Sequence, residues 1–389
     1  MFLVIVLTTF FFFRALIFNF MMRDYQQFIY LAKAFLAGKL YFLEQFSPWW
    51  HDAVYNSGHY YWPLGPFPAV ILAPFILIFE RVEKPFYQGY LQFPLVVLVY
   101  LLIYKIAKSL KYTREDSFFL AFAFSIATSF LGVAFWPNSW FFAQVVTTAL
   151  LLIAVVEYLG KRRFWLIGLV FGPILLTRIT AFFGVLFFIM IALKEKEKFK
   201  NLLGLFLAIT PFVIIFGLYN YLRFGGPFEQ GYSFQTISGQ FSTIRLYGQF
   251  SLNYFLTNLY YFLIAPPLAV FKEATQILTY PYLKADPWGI GIIYTSPYLL
   301  NLLSFKYKNF ESRALLITSL LIAIPIFLYY GVGWYQFGYR YSLDFLPFIF
   351  LVFLKEYREK SKNLTFGLRC LIVVSSLLNF HLFTTIFKL

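Results

Sequence analysis

The chain has 389 residues, of which 61% are hydrophobic and only 13% charged. A soluble domain carries about 25% charged residues, so this sequence lacks the polar surface that a soluble protein of its length needs. The net charge of +15 does not mark a nucleic-acid binder, because the basic residues sit in short clusters between long apolar runs, as cytoplasmic loops do.

Taken in order, the apolar runs predict spans near 1–20, 89–108, 117–136, 140–160, 164–177, 179–193, 202–222, 289–305, 314–332, 343–355 and 366–386. The fold class is therefore an all-α polytopic membrane protein with about eleven spans, read as one membrane domain over 1–389. The first run, Met1 to Phe20, lacks a basic start and a small-residue cleavage site, which predicts a retained span rather than a signal peptide. A truncated N-terminus is the other reading of the missing basic start. Five basic clusters fix the orientation: Lys105/Lys108/Lys111/Arg114, Lys161/Arg162/Arg163, Lys194/Lys196/Lys198/Lys200, Lys306/Lys308/Arg313 and Lys355/Arg358/Lys360/Lys362. All five are expected at the cytoplasmic face of the cell membrane, with the N-terminus inside and the C-terminus outside.

Two runs test that scheme. Phe67 to Phe79 is short and holds Pro68 and Pro74, so it is expected to lie in the outer interface rather than cross. Phe164 to Leu193 has basic clusters on both flanks, which requires a hairpin of two spans turning near Thr177-Arg178. Segments 21–88 and 223–288 then lie outside. Both are rich in Tyr, Trp, Gly, Pro and Gln, and longer than a lipid-anchoring aromatic belt requires. Loops of that length and low charge suggest function rather than disorder.

In the first outer segment, Asp24 to Ala37 has helical periodicity. Gln26, Gln27, Tyr30 and Lys33 form a polar stripe, and Phe28, Leu31, Ala32 and Phe35 an apolar face. Asp24 falls on the apolar side, either as an N-cap or as a carboxylate held at the membrane face. Further on, Asp52 sits between His51 and Ala53, with His59 following; no helical or finger spacing supports a metal there, and loop hydrogen bonding is the expectation. Arg178, at the predicted hairpin turn, and Arg340, in Gly-Tyr-Arg-Tyr-Ser-Leu-Asp, are cations on the side where the positive-inside rule does not expect them. A guanidinium fork suits phosphate oxygens. Arg14, Arg223 and Arg245 are further candidates. The single cysteine, Cys370, lies in an apolar run and makes no internal disulfide. No Asp-x-Asp, Walker sequence, nucleophile elbow or mid-span carboxylate is present, so neither metal nor cofactor is expected.

An outer-face Asp directly after the first span, followed by "AKAFLAGKLYF", resembles the class C membrane glycosyltransferases. That superfamily includes the protein O-mannosyltransferases and the lipid A aminoarabinose transferases. "HYYWPLGPFPAVILAPF", "YNYLRFGGPFEQGY" and "FGYRYSLDFLPF" are similar to segments of their bacterial family 39-like relatives, and the likeness runs from about residue 20 to about 350. The resemblance implies interfacial helices in the first outer loop and a polyprenyl-phosphate-linked sugar donor. It implies transfer, with inversion, to an acceptor hydroxyl of a glycan, lipid or protein at the outer face. Asp24 falls where the family has its loop-one catalytic aspartate. Arg178 and Arg340 would meet the phosphate, and Asp52, Tyr61 and Tyr339 in the aromatic loops would contact substrate. One departure stands out: the second outer turn, where relatives often carry another acid, reads "WPNSW". A transporter or flippase of a lipid-linked glycan, or a non-catalytic assembly scaffold, are the competing readings.

Overall fold

A computed structural model describes residues 1–44, 52–235 and 243–387. Six described helices are long and apolar enough to cross a membrane: α1 (Phe2–Met21), α4 (Gln88–Ser109), α7 (Ser139–Leu159), α11 (Lys198–Phe224), α14 (Phe310–Leu328) and α16 (Phe366–Ile386). Between them lie α2 (Gln27–Leu36), the strands β1 (Val54–Asn56) and β2 (His59–Tyr61), α3 (Phe67–Glu80), α5 (Arg114–Ile126), α6 (Phe130–Phe135), α8 (Phe164–Leu175), α9 (Ile179–Phe182) and α10 (Val185–Ala192). Later come α12 (Phe255–Leu263), the strands β3 (Leu268–Phe271) and β4 (Leu278–Lys284), α13 (Ile292–Thr295) and α15 (Leu346–Lys360). The protein is a predominantly helical, polytopic membrane protein.

Five of the eleven predicted spans appear as shorter or interrupted helices. The run 117–136 breaks between α5 and α6. The run 289–305, expected as one span, is instead the four-residue α13 followed by a 3₁₀ stretch, Pro297–Ser304. The breaks are chemically answered: Asn379 Nδ2 of α16 donates to Ile126 O, at the end of α5, at 3.0 Å and to Thr295 O, at the end of α13, at 2.9 Å. Helix ends leave carbonyls without intrahelical partners, and irregular backbone at membrane depth is tolerated where protein covers it. Helix α3 has 14 residues, about 21 Å at 1.5 Å per residue, too short for a core of about 30 Å. Its buried Ala69, Leu72 and Ile76 join Phe28, Leu31 and Ala32 of α2 in one apolar cluster.

The chain divides into two compact units. The first is Phe13–Leu98 with Ala134–Ser242 and the second is Met1–Phe12, Val99–Val133 and Thr243–Leu389. In the first, α8 and α11 pack through glycines spaced i, i+4, which lets helix backbones approach closely. A Cβ on Gly168 would stand 2.3 Å from Leu205 O, and one on Gly172 would meet the Phe212 ring at 2.1 Å. The predicted hairpin turn is found at 176–178. The loop before α3 docks on it: Phe67 N donates to Leu176 O at 3.0 Å, and a Cβ on Gly65 would lie 2.2 Å from the same oxygen.

Within each unit the basic clusters gather at one end. In the first, Arg162 Nη1 stands 2.9 Å from Glu195 Oε1, joining the α7–α8 loop to the α10–α11 loop. In the second, Lys355 pairs with Glu311, and Tyr112 Oη donates to Leu354 O at 2.7 Å. Arg369 there reaches Glu115 at 2.7 Å and the fully buried Asp116 at 2.8 Å. Since α8 and α11 both start at the basic end of the first unit, the 176–178 turn and the C-terminus of α11 mark its opposite end.

Gly168→Ala is expected to lower the melting temperature in detergent, at a cost of about 1–3 kcal/mol from overpacking. Gly204→Ala, where the added Cβ meets nothing nearer than 3.4 Å, should leave it nearly unchanged. Equal effects at the two sites would contradict the close α8–α11 packing.

Candidate functional site

The end of the first unit away from its basic loops holds Asp24, Asp52, Tyr61 and Arg178. Helix α2 starts at Gln27, not at Asp24, and no side chain of its own segment caps it. Asp24 is exposed on the bend before it, which corrects the expectation of a carboxylate on the apolar side of the helix. The N-cap role is also removed. The reason lies in Gln26 and Gln27. Expected on a wet polar stripe, both are buried.

The burial of Gln26 is answered by a knot of amides and hydroxyls brought from three places in the chain. Gln88 N donates to Gln26 Oε1 at 2.9 Å, and Phe28 N donates to Gln88 Oε1 at 3.1 Å. Gln88 thus caps the first turn of α2, where backbone N–H groups have no intrahelical partner. Gln88 Nε2 donates to Pro137 O at 2.8 Å. Ser139 N donates to Tyr25 O at 3.0 Å, and Ser139 Oγ lies 2.8 Å from Tyr25 O and 2.9 Å from Gln88 Oε1. Gln26 Nε2 donates to Asp24 O at 3.2 Å. The carbonyls of Asp24 and Tyr25 are therefore both held. Tyr25 adopts φ +56°, a left-handed conformation uncommon outside glycine that needs surrounding structure to enforce it.

The Tyr25 ring meets Trp140 edge-on, centroids 5.6 Å apart, and Trp136 at 6.1 Å. Burial pushes the Tyr25 phenol above its ordinary range, and the negative charge of Asp24 adds to the shift. The phenol stays protonated at neutral pH, next to the carboxylate. Among the described residues no hydrogen bond or ion pair engages the Asp24 carboxylate.

Asp52 comes to the same Trp140. The Trp140 indole Nε1 donates to Asp52 Oδ2 at 3.1 Å, and Gln235 Nε2 donates to Asp52 Oδ1 at 3.2 Å. The turn "WPNSW" has no acid of its own, yet its last residue carries one from the first outer loop. His51 lies outside the described residues. His59 stacks on Tyr41 with centroids 3.8 Å apart, on the β1–β2 hairpin whose Ser57-Gly58 turn has φ values of +48° and +85°, as two-residue hairpin turns require. Among the described residues no three His, Cys, Asp or Glu side chains gather as metal ligands would.

Arg178 is half-buried in the turn between α8 and α9, its N–H donating to Ile174 O at 2.8 Å. Arg223, near the C-terminus of α11, is buried and structural. Its Nη1 donates to Trp62 O at 2.7 Å, its Nη2 to Asn220 Oδ1 at 2.8 Å, and its guanidinium lies 3.7 Å from the Tyr219 ring centroid. Tyr61 is buried beside it, its ring 5.3 Å from Phe224. Arg14 lies over Phe18 in the first unit and Arg245 over Tyr330 in the second. Arg340 and Tyr339 belong to the second unit. Arg340 is buried with its guanidinium 4.7 Å from the Tyr341 ring centroid. Tyr339 is buried and its hydroxyl donates to Asn258 Oδ1 at 2.8 Å, so it is committed to packing rather than to an open sugar-binding surface. It also lines a small cavity with Ser129, Thr295, Ser296 and Ser342.

No family model matches the chain, and no curated protein matches it, so the family 39-like resemblance rests on the quoted segments alone. Among solved structures, the apo form of the Archaeoglobus fulgidus oligosaccharyltransferase aligns with a TM-score of 0.45 and 14% identity. The alignment covers 94% of this chain and 51% of that one, so the chain spans about half the length of that protein. A likeness at this level adds nothing to the fold read from the helices themselves.

Gln88→Leu would strip the cap from α2 and the acceptor from Ser139. The expected loss is about 1–3 kcal/mol for each buried group left unpaired, read as a lower melting temperature. A variant as stable as the parent would contradict the capping role.

Proposed function

We propose that the chain transfers a sugar from a polyprenyl-phosphate donor to an acceptor hydroxyl at the outer face of the membrane, with Asp24 as the base. The observation that supports this most is the state of Asp24. Its carboxylate is exposed and unengaged among the described residues, while its own and the next carbonyl are held by buried side chains. A fixed backbone with an open carboxylate suits a group that must meet a substrate. The position at the end of the first unit away from the basic loops agrees with an outer-face site.

In this reading the acceptor oxygen attacks the anomeric carbon as the carbon–oxygen bond to phosphate breaks, inverting the centre. The acceptor proton passes to Asp24, and the leaving phosphate is met by a cation, for which guanidinium chemistry favours Arg178 of the same unit. Asp52, fixed by Trp140 and Gln235, supplies the acceptor contact that the second turn lacks.

Asp24→Asn keeps size and removes only the base. Because Asp24 caps no helix, the melting temperature should hold while transfer falls by about 10²-fold or more. Full activity in this variant would remove Asp24 as the base, and movement of intact lipid-linked sugar across vesicles without cleavage would replace the transferase with a flippase.

Arg178→Lys keeps the charge and loses the fork. It is expected to weaken donor binding, measured by titration with a polyprenyl-phosphate sugar. Unchanged affinity would remove that residue from the phosphate.

A further inference from the structure

The β3–β4 hairpin is the most exposed apolar element of the second unit. Phe271 is 49% exposed, Leu278 53%, Ile277 63% and Tyr280 80%. Phe271 and Leu278 are cross-strand partners, so their side chains stand together on one face. A two-stranded hairpin is marginal on its own in water, so these apolar strands need a cover.

The hairpin's attachment indicates what covers it. Ala285 N donates to Thr385 Oγ1 at 2.9 Å, and His381 Nε2 donates to Pro281 O at 3.0 Å and Leu283 O at 3.2 Å. Both anchors lie in the last turns of α16. That helix has 21 residues, about 32 Å, matching a hydrocarbon core of about 30 Å. Residues 381 and 385 therefore sit where it leaves the hydrocarbon, and β4 is tied to that level. The sequence agrees: exposed Tyr280 and Tyr282 are interfacial residues, while the tip carries Lys272, Glu273, Thr275 and Gln276 and the foot Lys284. A polar tip on apolar strands suits an element lying along the surface rather than piercing it.

We propose that β3–β4 is a membrane-interface anchor, its apolar side chains seated in the boundary between headgroups and acyl chains. Lys272 and Lys284 then extend their ammonium groups into the headgroup layer. The inference does not depend on the transfer reaction.

The single cysteine makes the test direct. In a Cys370→Ser background, spin labels are placed through Tyr280→Cys, Tyr282→Cys and, at the tip, Ala274→Cys. The full chain is reconstituted in phosphatidylcholine–phosphatidylglycerol vesicles, and collisions with oxygen and with a water-soluble nickel chelate are compared. The oxygen-to-nickel ratio should be several-fold higher at 280 and 282 than at 274. Ratios at 280 and 282 no higher than that of the free spin label in buffer would place the hairpin in water and overturn the anchor. Exclusion of both reagents at 280 and 282 would mean that a protein partner or a second copy covers it, which also overturns it. Tyr280 and Tyr282 are exposed, so labelling removes little packing, and either position alone decides the result.

Discussion

The carbonyl of Tyr25 is the point on which the candidate site depends. It accepts from Ser139 N–H while Ser139 Oγ lies within hydrogen-bond distance, and Gln88 ties the same neighbourhood to the start of α2. These groups come from the exits of α1 and entries of α4 and α7, so three membrane helices fix one exposed residue, Asp24. Buried amides are costly when unpaired and hold a unique arrangement when every partner is present. These bonds hold Tyr25 in its left-handed conformation, φ +56°.

A second constraint is the partition of charge along each unit. The loops that carry lysine and arginine collect at one end, cross-linked by Arg162 to Glu195 in one unit and by Lys355 to Glu311 in the other. The other end of the first unit is rich in tryptophan, tyrosine and amides, and its two arginines at the ends of α8 and α11 do different work. Arg223 is consumed by Trp62 O and Asn220, and so holds the loop before α3 against α11. Arg178 stands in a turn whose neighbours fix its backbone.

Much of this was legible before any coordinates. Hydropathy and basic clusters located the long spans, the hairpin turn beside Arg178 and the short α3, because these follow from one-dimensional patterns of polarity. Interrupted helices were not legible, since their breaks are stabilised by Asn379, more than eighty residues from either carbonyl it serves. The same holds for Gln88 capping α2 from sixty residues away. Gln26 and Gln27 were misread as a wet stripe for one reason: periodicity sees polarity but not a buried partner. The missing acid in "WPNSW" was a true absence in the sequence, and only folding shows Asp52 brought to Trp140.

In the proposed reaction the bond that breaks lies beside Asp24, at the end of the first unit away from the basic loops. A structure with a polyprenyl-phosphate sugar bound tests this most directly. The sugar is expected at that end, with an acceptor hydroxyl within about 3 Å of the Asp24 carboxylate, directly or through one water. A donor seated among the Lys161 and Lys194 loops, or a sugar out of reach of Asp24, would contradict it.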